Sequence, residues 1–382
     1  MRLVLLGIAL TYLAVTLVIP VLPLYARDRL HVDAAVIGLL MGGPALTAVV
    51  ARPLAGMVAD WRGARGAFLF GAATVAVTGA LYPLCVNTTL LVADRLVLGL
   101  GQGASFAAAT VWVVDLAPAH RRGWAIGLVG LVNYLVLALG AAVGPAILAA
   151  SGGYGVVWLL AAALPATGVL LGLFAVRPAP APAPPASAAA SDAPAAGRWA
   201  ALAAIAAPGG SLALAFVGYA TLTGFTVVAL DERGVAHGAL VLSAYAIAVA
   251  GARLVLGRVP DRLGVLPTLG LACAAEAVGL LVIGFAPTLP VAVAGGALTG
   301  VGMSLVYPAL GLRVLSNTDG LPQRQTAVAS FGAFVDIGAG LGGPLVGRAA
   351  GLVGYPGAFG LTAALVGAAF VVQLLPGGRR RR

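Results

Sequence analysis

Long apolar runs recur along almost the whole chain, and they fall into two sets of six. The first set covers 3–25, 34–58, 67–86, 91–113, 123–149 and 153–175. The second covers 200–229, 238–257, 265–286, 289–312, 325–347 and 355–376. About 20 apolar residues in a helix cross the hydrocarbon core of a bilayer. Inside lipid every backbone N–H and C=O must be paired within the structure, which leaves helices or a closed barrel. Barrel strands would appear as segments of about ten residues with alternating polarity. The runs here are about twice that length and do not alternate, so the chain is expected to be an all-α integral membrane protein. Composition agrees: 61% of residues are hydrophobic and 9% charged, whereas soluble domains carry about 25% charged residues.

Between the two sets lies RPAPAPAPPASAAASDAPAAGR, from Arg177 to Arg198. Repeated proline and a lack of large apolar groups make it a flexible, partly extended linker. The expected organisation is an N-terminal six-helix bundle over 1–176, a cytoplasmic Pro/Ala-rich linker over 177–198, and a C-terminal six-helix bundle over 199–382 with an arginine-rich cytoplasmic tail. The first run, preceded only by Arg2, is longer than the core of a cleavable signal and is expected to be the first span.

The net charge of +10 comes with 22 basic residues, all of them arginine. They gather at run ends rather than in one patch. An orientation bias explains them more simply than nucleic-acid binding, and no nucleic-acid partner is expected. Arg2, Arg62, Arg65, Arg121, Arg122, Arg177, Arg198, Arg258, Arg262, Arg313, Arg324 and the tail Arg379 to Arg382 share one side. Arg27, Arg29, Arg233 and Arg348 lie on the other. The positive-inside rule then places both termini in the cytoplasm of a bacterial-type inner (plasma) membrane.

Two stretches sit 201 positions apart with matching residues: Arg52, Gly56, Asp60 and Gly63, then Arg253, Gly257, Asp261 and Gly264. Each closes one apolar run and precedes another. The chain therefore reads as two copies of one membrane unit, with a substrate path between them. Arg52 and Arg253 are expected to keep their heads wet at the interface, in a shared structural role rather than as substrate ligands.

The segment Gly56-Met57-Val58-Ala59-Asp60-Trp61-Arg62-Gly63-Ala64-Arg65 resembles the loop 2–3 signature of the major facilitator superfamily, and Gly257 to Gly264 resembles its copy in loop 8–9. Arg95-Leu96-Val97-Leu98-Gly99 resembles the span-4 arginine motif. Gly140-Ala141-Ala142-Val143-Gly144-Pro145 resembles the span-5 motif of antiporters, with Gly343-Pro344 as its counterpart in span 11. Asp115-Leu116-Ala117-Pro118 with Arg121-Arg122-Gly123 is similar to the family's loop 4–5. The likeness covers nearly the whole chain and extends to the twelve-span drug:proton antiporter and metabolite-efflux branch. It implies two six-helix bundles related by a pseudo-two-fold axis. It also implies a conformational gate of Gly56, Asp60, Arg62, Arg65, Asp261, Arg262, Arg121 and Arg122, in which Asp60 meets span 11 and Asp261 meets span 5. Ala64 interrupts the first basic cluster, and the second copy lacks distal basic residues.

Three charged groups inside apolar runs are candidates for proton coupling: Asp336, Glu276 and Arg95. A charge in a span is costly unless it reaches water, a partner or a ligand. An acid there can take up and release a proton as water access changes sides. Gly338, Gly340 and Gly342 beside Asp336 leave room for a substrate or a helix. Tyr25, Gln102, Asn133, Tyr134, Tyr219, Tyr245, Tyr307 and Phe331, with Trp112 and Thr223, are candidate lining residues for an amphipathic organic molecule. No pair of mid-span lysines or arginines suggests a phosphate-type anion exchanger.

No metal or other cofactor is expected: Cys85 and Cys273 stand alone, His31, His120 and His237 fall in separate loops, and no Walker A pattern occurs. The proton gradient is the expected energy source. The reading is a non-enzymatic, proton-coupled secondary transporter that exports small organic compounds, working as a monomer among membrane lipids. Proton-coupled uptake or sugar/metabolite efflux is the alternative on the same fold, and a receptor or scaffold is the alternative of another class.

Overall fold

The computed structural model describes residues 1–175, 195–319, 321 and 324–374, without the side chains of 53–62, 119, 195–201, 325, 326 and 329. All regular structure among the described residues is helical. In the first half these are α1 (Arg2–Val18), α2 (Leu22–Leu30), α3 (Ala34–Leu81), α4 (Thr88–Asp115), α5 (Arg122–Ser151) and α6 (Gly155–Phe174). The second half holds α7 (Ala195–Asp231), α8 (Leu240–Leu256), α9 (Val259–Leu263), α10 (Val265–Phe285), α11 (Leu289–Asn317), α12 (Arg324–Phe331) and α13 (Ala333–Leu374). The first four residues of α7, 195–198, fall in the stretch expected to be linker. The tail Arg379 to Arg382 lies outside the described residues.

Among the described residues ten stretches are long and apolar enough to cross a membrane. Helix α8 is a shorter apolar helix, and the 42-residue α13 contains a non-helical residue at Gly354, so the path makes twelve crossings. The even count returns both termini to one end, called here the terminal end; the opposite end is the distal end. Leucine, valine and phenylalanine side chains such as Phe70, Phe174, Val255 and Leu352 remain exposed around the outside, where lipid rather than water covers them.

Local chemistry explains the helix boundaries. The Asp33 carboxylate accepts from the Val36 N–H at 2.9 Å and starts α3, and the Asn87 side chain does the same for Leu90 N–H and α4. Each satisfies an otherwise orphaned donor of a first helical turn. Pro20 and Pro23 break the first span into α1 and α2, because proline cannot continue the hydrogen-bond ladder. The two repeats turn at matched glycines: Gly63 has φ 73, ψ 162 and Gly264 has φ 85, ψ 168. That backbone region is open almost only to glycine. Arg233 closes the end of α10 by donating to the carbonyls of Ile283, Gly284 and Ala286.

Within the first half, α1 packs on α5 and α6, and α3 on α4 and α6. In the second, α7 and α10 pack on α13, and α8 and α10 on α11. Between the halves the main contacts are α3 with α13 and α5 with α8. These seams close at the distal end. Gly38 and Gly42 of α3 lie against the backbone of Gly343 and Gly340 of α13, and Gly347 lies against Ala34. Ser243 of α8 donates to the Ala138 carbonyl of α5 at 2.8 Å. Arg27 of α2 pairs with Asp231 of α7 at 2.6 Å. Small residues let membrane helices approach to backbone contact.

Candidate functional site

A cavity of about 490 Å³ lies between the halves. It reaches from Met41 and Arg95 at mid-depth to Thr110, Ile126 and Arg253 near the terminal end. Helices α1, α3, α4 and α5 line one side; α7, α8, α11 and α13 line the other.

Asp336 stands on this cavity on the first turn of α13, 5% exposed. Its Oδ1 accepts from Arg52 Nη2 of α3 at 3.0 Å, so one ion pair joins the two halves across the cavity. The pairing is single-toothed: Asp336 Oδ2 and Arg52 Nε have no partner among the described residues. The Arg52 guanidinium also lies 5.6 Å from the centre of the Phe106 ring. Its repeat mate Arg253 reaches across the other seam, from α8 to α5. It lies over the Tyr134 ring at 4.8 Å and donates to the Tyr134 hydroxyl at 3.4 Å. No carboxylate pairs with it among the described residues.

Arg95 on α4 is 4% exposed, buried rather than at the surface. Its Nε donates to the Leu40 carbonyl at 2.9 Å and its Nη1 to the Tyr82 hydroxyl at 3.1 Å. The Leu40 carbonyl is free because its helical partner would be the N–H of Pro44, which proline lacks. The arginine fills a gap that the proline opens.

Most of the expected lining residues do meet at the cavity: Gln102, Asn133, Tyr134, Tyr219, Thr223, Tyr245 and Tyr307. Three do not. Tyr25 donates to the Cys85 carbonyl at 3.3 Å and packs edge-on against Tyr154 and Trp158, away from the cavity. Phe331 is buried behind Tyr307, ring centres 5.4 Å apart. Trp112 is fully buried against Phe68. Glu276 is fully buried within the second half, against Gly218 and Gly302, and does not line the cavity.

Gly140 and Gly144 serve close packing, since a Cβ at either would strike the backbone of Leu17 on α1. Pro145 follows them inside α5. Of the expected gate, Arg65 donates to the carbonyls of Gly172 and Leu173 at 3.0 and 2.6 Å, finishing α6 in its own half. Arg121, Arg122, Asp261 and Arg262 are exposed at the terminal end, and Asp261 makes no ion pair with α5. Side chains of Asp60 and Arg62, and the surroundings of Gly56, lie outside the described residues.

Two residues assigned a structural role from the sequence, Arg52 and Arg253, are cavity residues. Both sit near helix ends, but their long side chains turn toward the cavity. Their matched positions in the two repeats were the signal.

Similarity to known proteins follows the same architecture. The Major Facilitator Superfamily pattern matches residues 4–237 and 209–381. The chain belongs to the Major Facilitator Superfamily. An uncharacterised MFS-type transporter of Salmonella typhimurium is 30% identical over 379 residues, covering 96% of this chain and 94% of that protein. One from Burkholderia pseudomallei is 32% identical over 369 residues, covering 94% and 87%. The nucleoside transporter NupG superposes with a TM-score of 0.75 at 15% identity, covering 98% of each chain. The human organic anion transporter MFSD10 gives 0.69 at 19%, covering 97% and 98%. At these identities the two structures speak for the fold alone. The protein is thus a multi-pass membrane transporter with the major facilitator fold, and both relatives named above are bacterial. No group of three or more His, Cys, Asp or Glu among the described residues could hold a metal.

Proposed function

We propose that the protein is a proton-coupled secondary transporter of small amphipathic organic compounds, in which residues 1–176 and 199–382 rock against each other as two units. The observation that carries this reading is the Arg52–Asp336 pair, an ion pair at 3.0 Å that bridges the halves inside the cavity. A proton arriving from water on Asp336 removes its charge and releases Arg52. The free energy of the cross-half contact then differs between protonated and deprotonated states. Such a difference lets a proton gradient favour one conformation.

With the termini in the cytoplasm, as the arginine bias supports, the closed distal end is outside and the cavity faces inward. The gate residues Asp60 and Asp261, with their arginine neighbours, belong to the opposite conformation, in which the terminal end closes. Glu276, sealed away from the cavity, is the weaker candidate for the proton site.

Export in exchange for protons is supported by the resemblance of the Gly140 to Pro145 run to the antiporter motif. Uptake together with protons is supported by a different observation: among the described residues that line the cavity, arginine outnumbers acid, with Arg52, Arg95 and Arg253 against Asp336.

The test is proton-driven accumulation in proteoliposomes under an imposed pH gradient. Asp336→Asn should lose gradient-driven net transport and keep downhill exchange. Gradient-driven accumulation at the wild-type rate in Asp336→Asn would remove Asp336 from the mechanism.

A further inference from the structure

The three cavity arginines are satisfied in different ways. Arg95 is held by a carbonyl and a hydroxyl. Arg52 has a carboxylate. Among the described residues Arg253 has only the face and the hydroxyl of Tyr134, and a guanidinium presents five donors in a planar fork. Aligning Gly343-Pro344 with Gly144-Pro145 places Leu137 opposite Asp336 in the repeat, and Leu137 does line the cavity. The first half thus offers an apolar side chain where the second offers an acid. A cation near the membrane interior is stabilised by a counter-charge. Here the cavity wall provides a cation, a ring stacked beneath it and, one helical turn along α5 from that ring, an apolar side chain, in a space of about 490 Å³.

We propose that the cavity binds an organic anion, whose acidic group meets Arg253 while its aromatic or apolar body lies among Tyr134, Tyr219 and Tyr245, and that this anion travels in the same direction as the proton on Asp336. The second clause rests on the reading of Asp336 as the proton site. Protonation of Asp336 leaves Arg52 without its partner, which adds a second cation to the same cavity. Anion and proton therefore strengthen each other's binding, and thermodynamic linkage makes the effect mutual. Mutual strengthening gives cotransport. Exchange would need competition, which a cationic substrate would provide by displacing the proton from Asp336.

The titratable or charged groups that share the cavity with Asp336 are Arg52 on α3, Arg95 on α4, Tyr134 on α5, Tyr219 on α7, Arg253 on α8 and Tyr307 on α11, with Tyr12 on α1 and Tyr245 on α8 further round. Of these only Arg52 pairs with the carboxylate.

The experiment uses three probes of one size and differing charge: naphthalene-2-sulfonate, naphthalene-2-sulfonamide and a naphthylmethyl-trimethylammonium ion. The sulfonate stays ionised, so it does not leak through lipid as a neutral acid. Binding to the purified full-length protein is measured by thermal stabilisation, and proton movement by a pH dye inside proteoliposomes. The sulfonate should stabilise the protein more than the other two and should acidify the lumen when added outside. Arg253→Gln should weaken sulfonate binding by about ten- to a hundredfold, the value of a charge-assisted hydrogen bond. Leu137→Asp, which supplies the missing carboxylate, should weaken it similarly, while Leu137→Asn should not. Sulfonate affinity should rise with falling pH in the wild type and become independent of pH in Asp336→Asn.

Equal or tighter binding of the cation or the neutral probe would overturn the anion assignment, as would failure of all three to bind at 10 mM. Sulfonate binding with no proton movement would leave the anion assignment standing and overturn the coupling. Lumen alkalinisation on adding the sulfonate would overturn cotransport. Arg253→Gln and Leu137→Asp count only if their own melting temperatures and elution match the wild type, and the wild-type comparison of the three probes decides the assignment without them.

Discussion

The distal seam should respond to a single methyl group. At Gly38 of α3, an added Cβ would fall inside contact distance of the Gly343 carbonyl and 3.0 Å from the Pro344 nitrogen. Both are backbone atoms of α13, so neither can rotate aside. Two effects of Gly38→Ala must be weighed. Alanine is the better helix former by about 1 kcal/mol. Overpacking a close contact costs about 1–3 kcal/mol. The helix gain applies whichever end of the transporter is closed, so it cancels from the conformational equilibrium. The steric cost applies only while the distal seam is shut. The net expectation is a shift toward the distal-open state of roughly 5- to 150-fold.

The assay is alkylation of one cysteine in the cavity, Thr223→Cys, in a background where Cys85 and Cys273 are replaced by alanine. An impermeant maleimide is added from one side of the membrane at a time. Gly38→Ala should speed labelling from the distal side and slow it from the terminal side. Gly367→Ala, a helical glycine with nothing within 4 Å of its Cβ position, is the control and should change neither rate. Unchanged rates in Gly38→Ala, or equal changes in both variants, would refute the argument that this seam is the distal gate.

The remaining expectations concern single side chains. Arg95→Leu removes the donor to the Leu40 carbonyl and should destabilise the protein by about 1–3 kcal/mol; a melting temperature in detergent equal to wild type would contradict this. Glu276→Gln should retain proton-driven accumulation, because this acid does not line the cavity; loss of coupling there with coupling intact in Asp336→Asn would exchange their roles. A single cysteine at Ser191, in the linker, should be modified only from the cytoplasmic side, and labelling from outside intact cells would reverse the proposed orientation.

The fold was largely legible because lipid leaves a chain so few options. Run length and the absence of alternation give helices, and the matched glycines at 63 and 264 mark the same turn in both copies. The break after α1 was harder to see, since Pro20 and Pro23 interrupt the ladder without interrupting the apolar run. The site was legible where polarity stands out against an apolar background, as for Asp336, Gln102 and Asn133. It was misread where direction matters. Tyr25 and Trp112 carry the same ring chemistry as Tyr134 and Tyr245, and only helix rotation decides which rings face the cavity. Arg52 and Arg253 sit near helix ends, where snorkelling toward water is the ordinary fate of a long cationic side chain. Their turn inward depends on Asp336 and Tyr134, which lie 284 and 119 residues away in sequence.

The unequal repeats give the site its direction of chemistry. Each half sends one arginine across a seam to the other half, from α3 to α13 and from α8 to α5. Had both found a carboxylate, each cation would be neutralised by protein, and the cavity would have no standing demand for a charged ligand. Had neither found one, nothing at the seams would respond to a proton. On the proposed reading, with Asp336 on one seam and Tyr134 with Leu137 on the other, one arginine answers to protons and the other stays available to the anion. The two repeats carry matched arginines with unlike partners, and the proposal assigns one of them to a proton-responsive contact and the other to the anion. That division requires the two functions to separate under mutation: changes at Asp336 should alter pH dependence and leave anion preference, while changes at Arg253 should do the reverse.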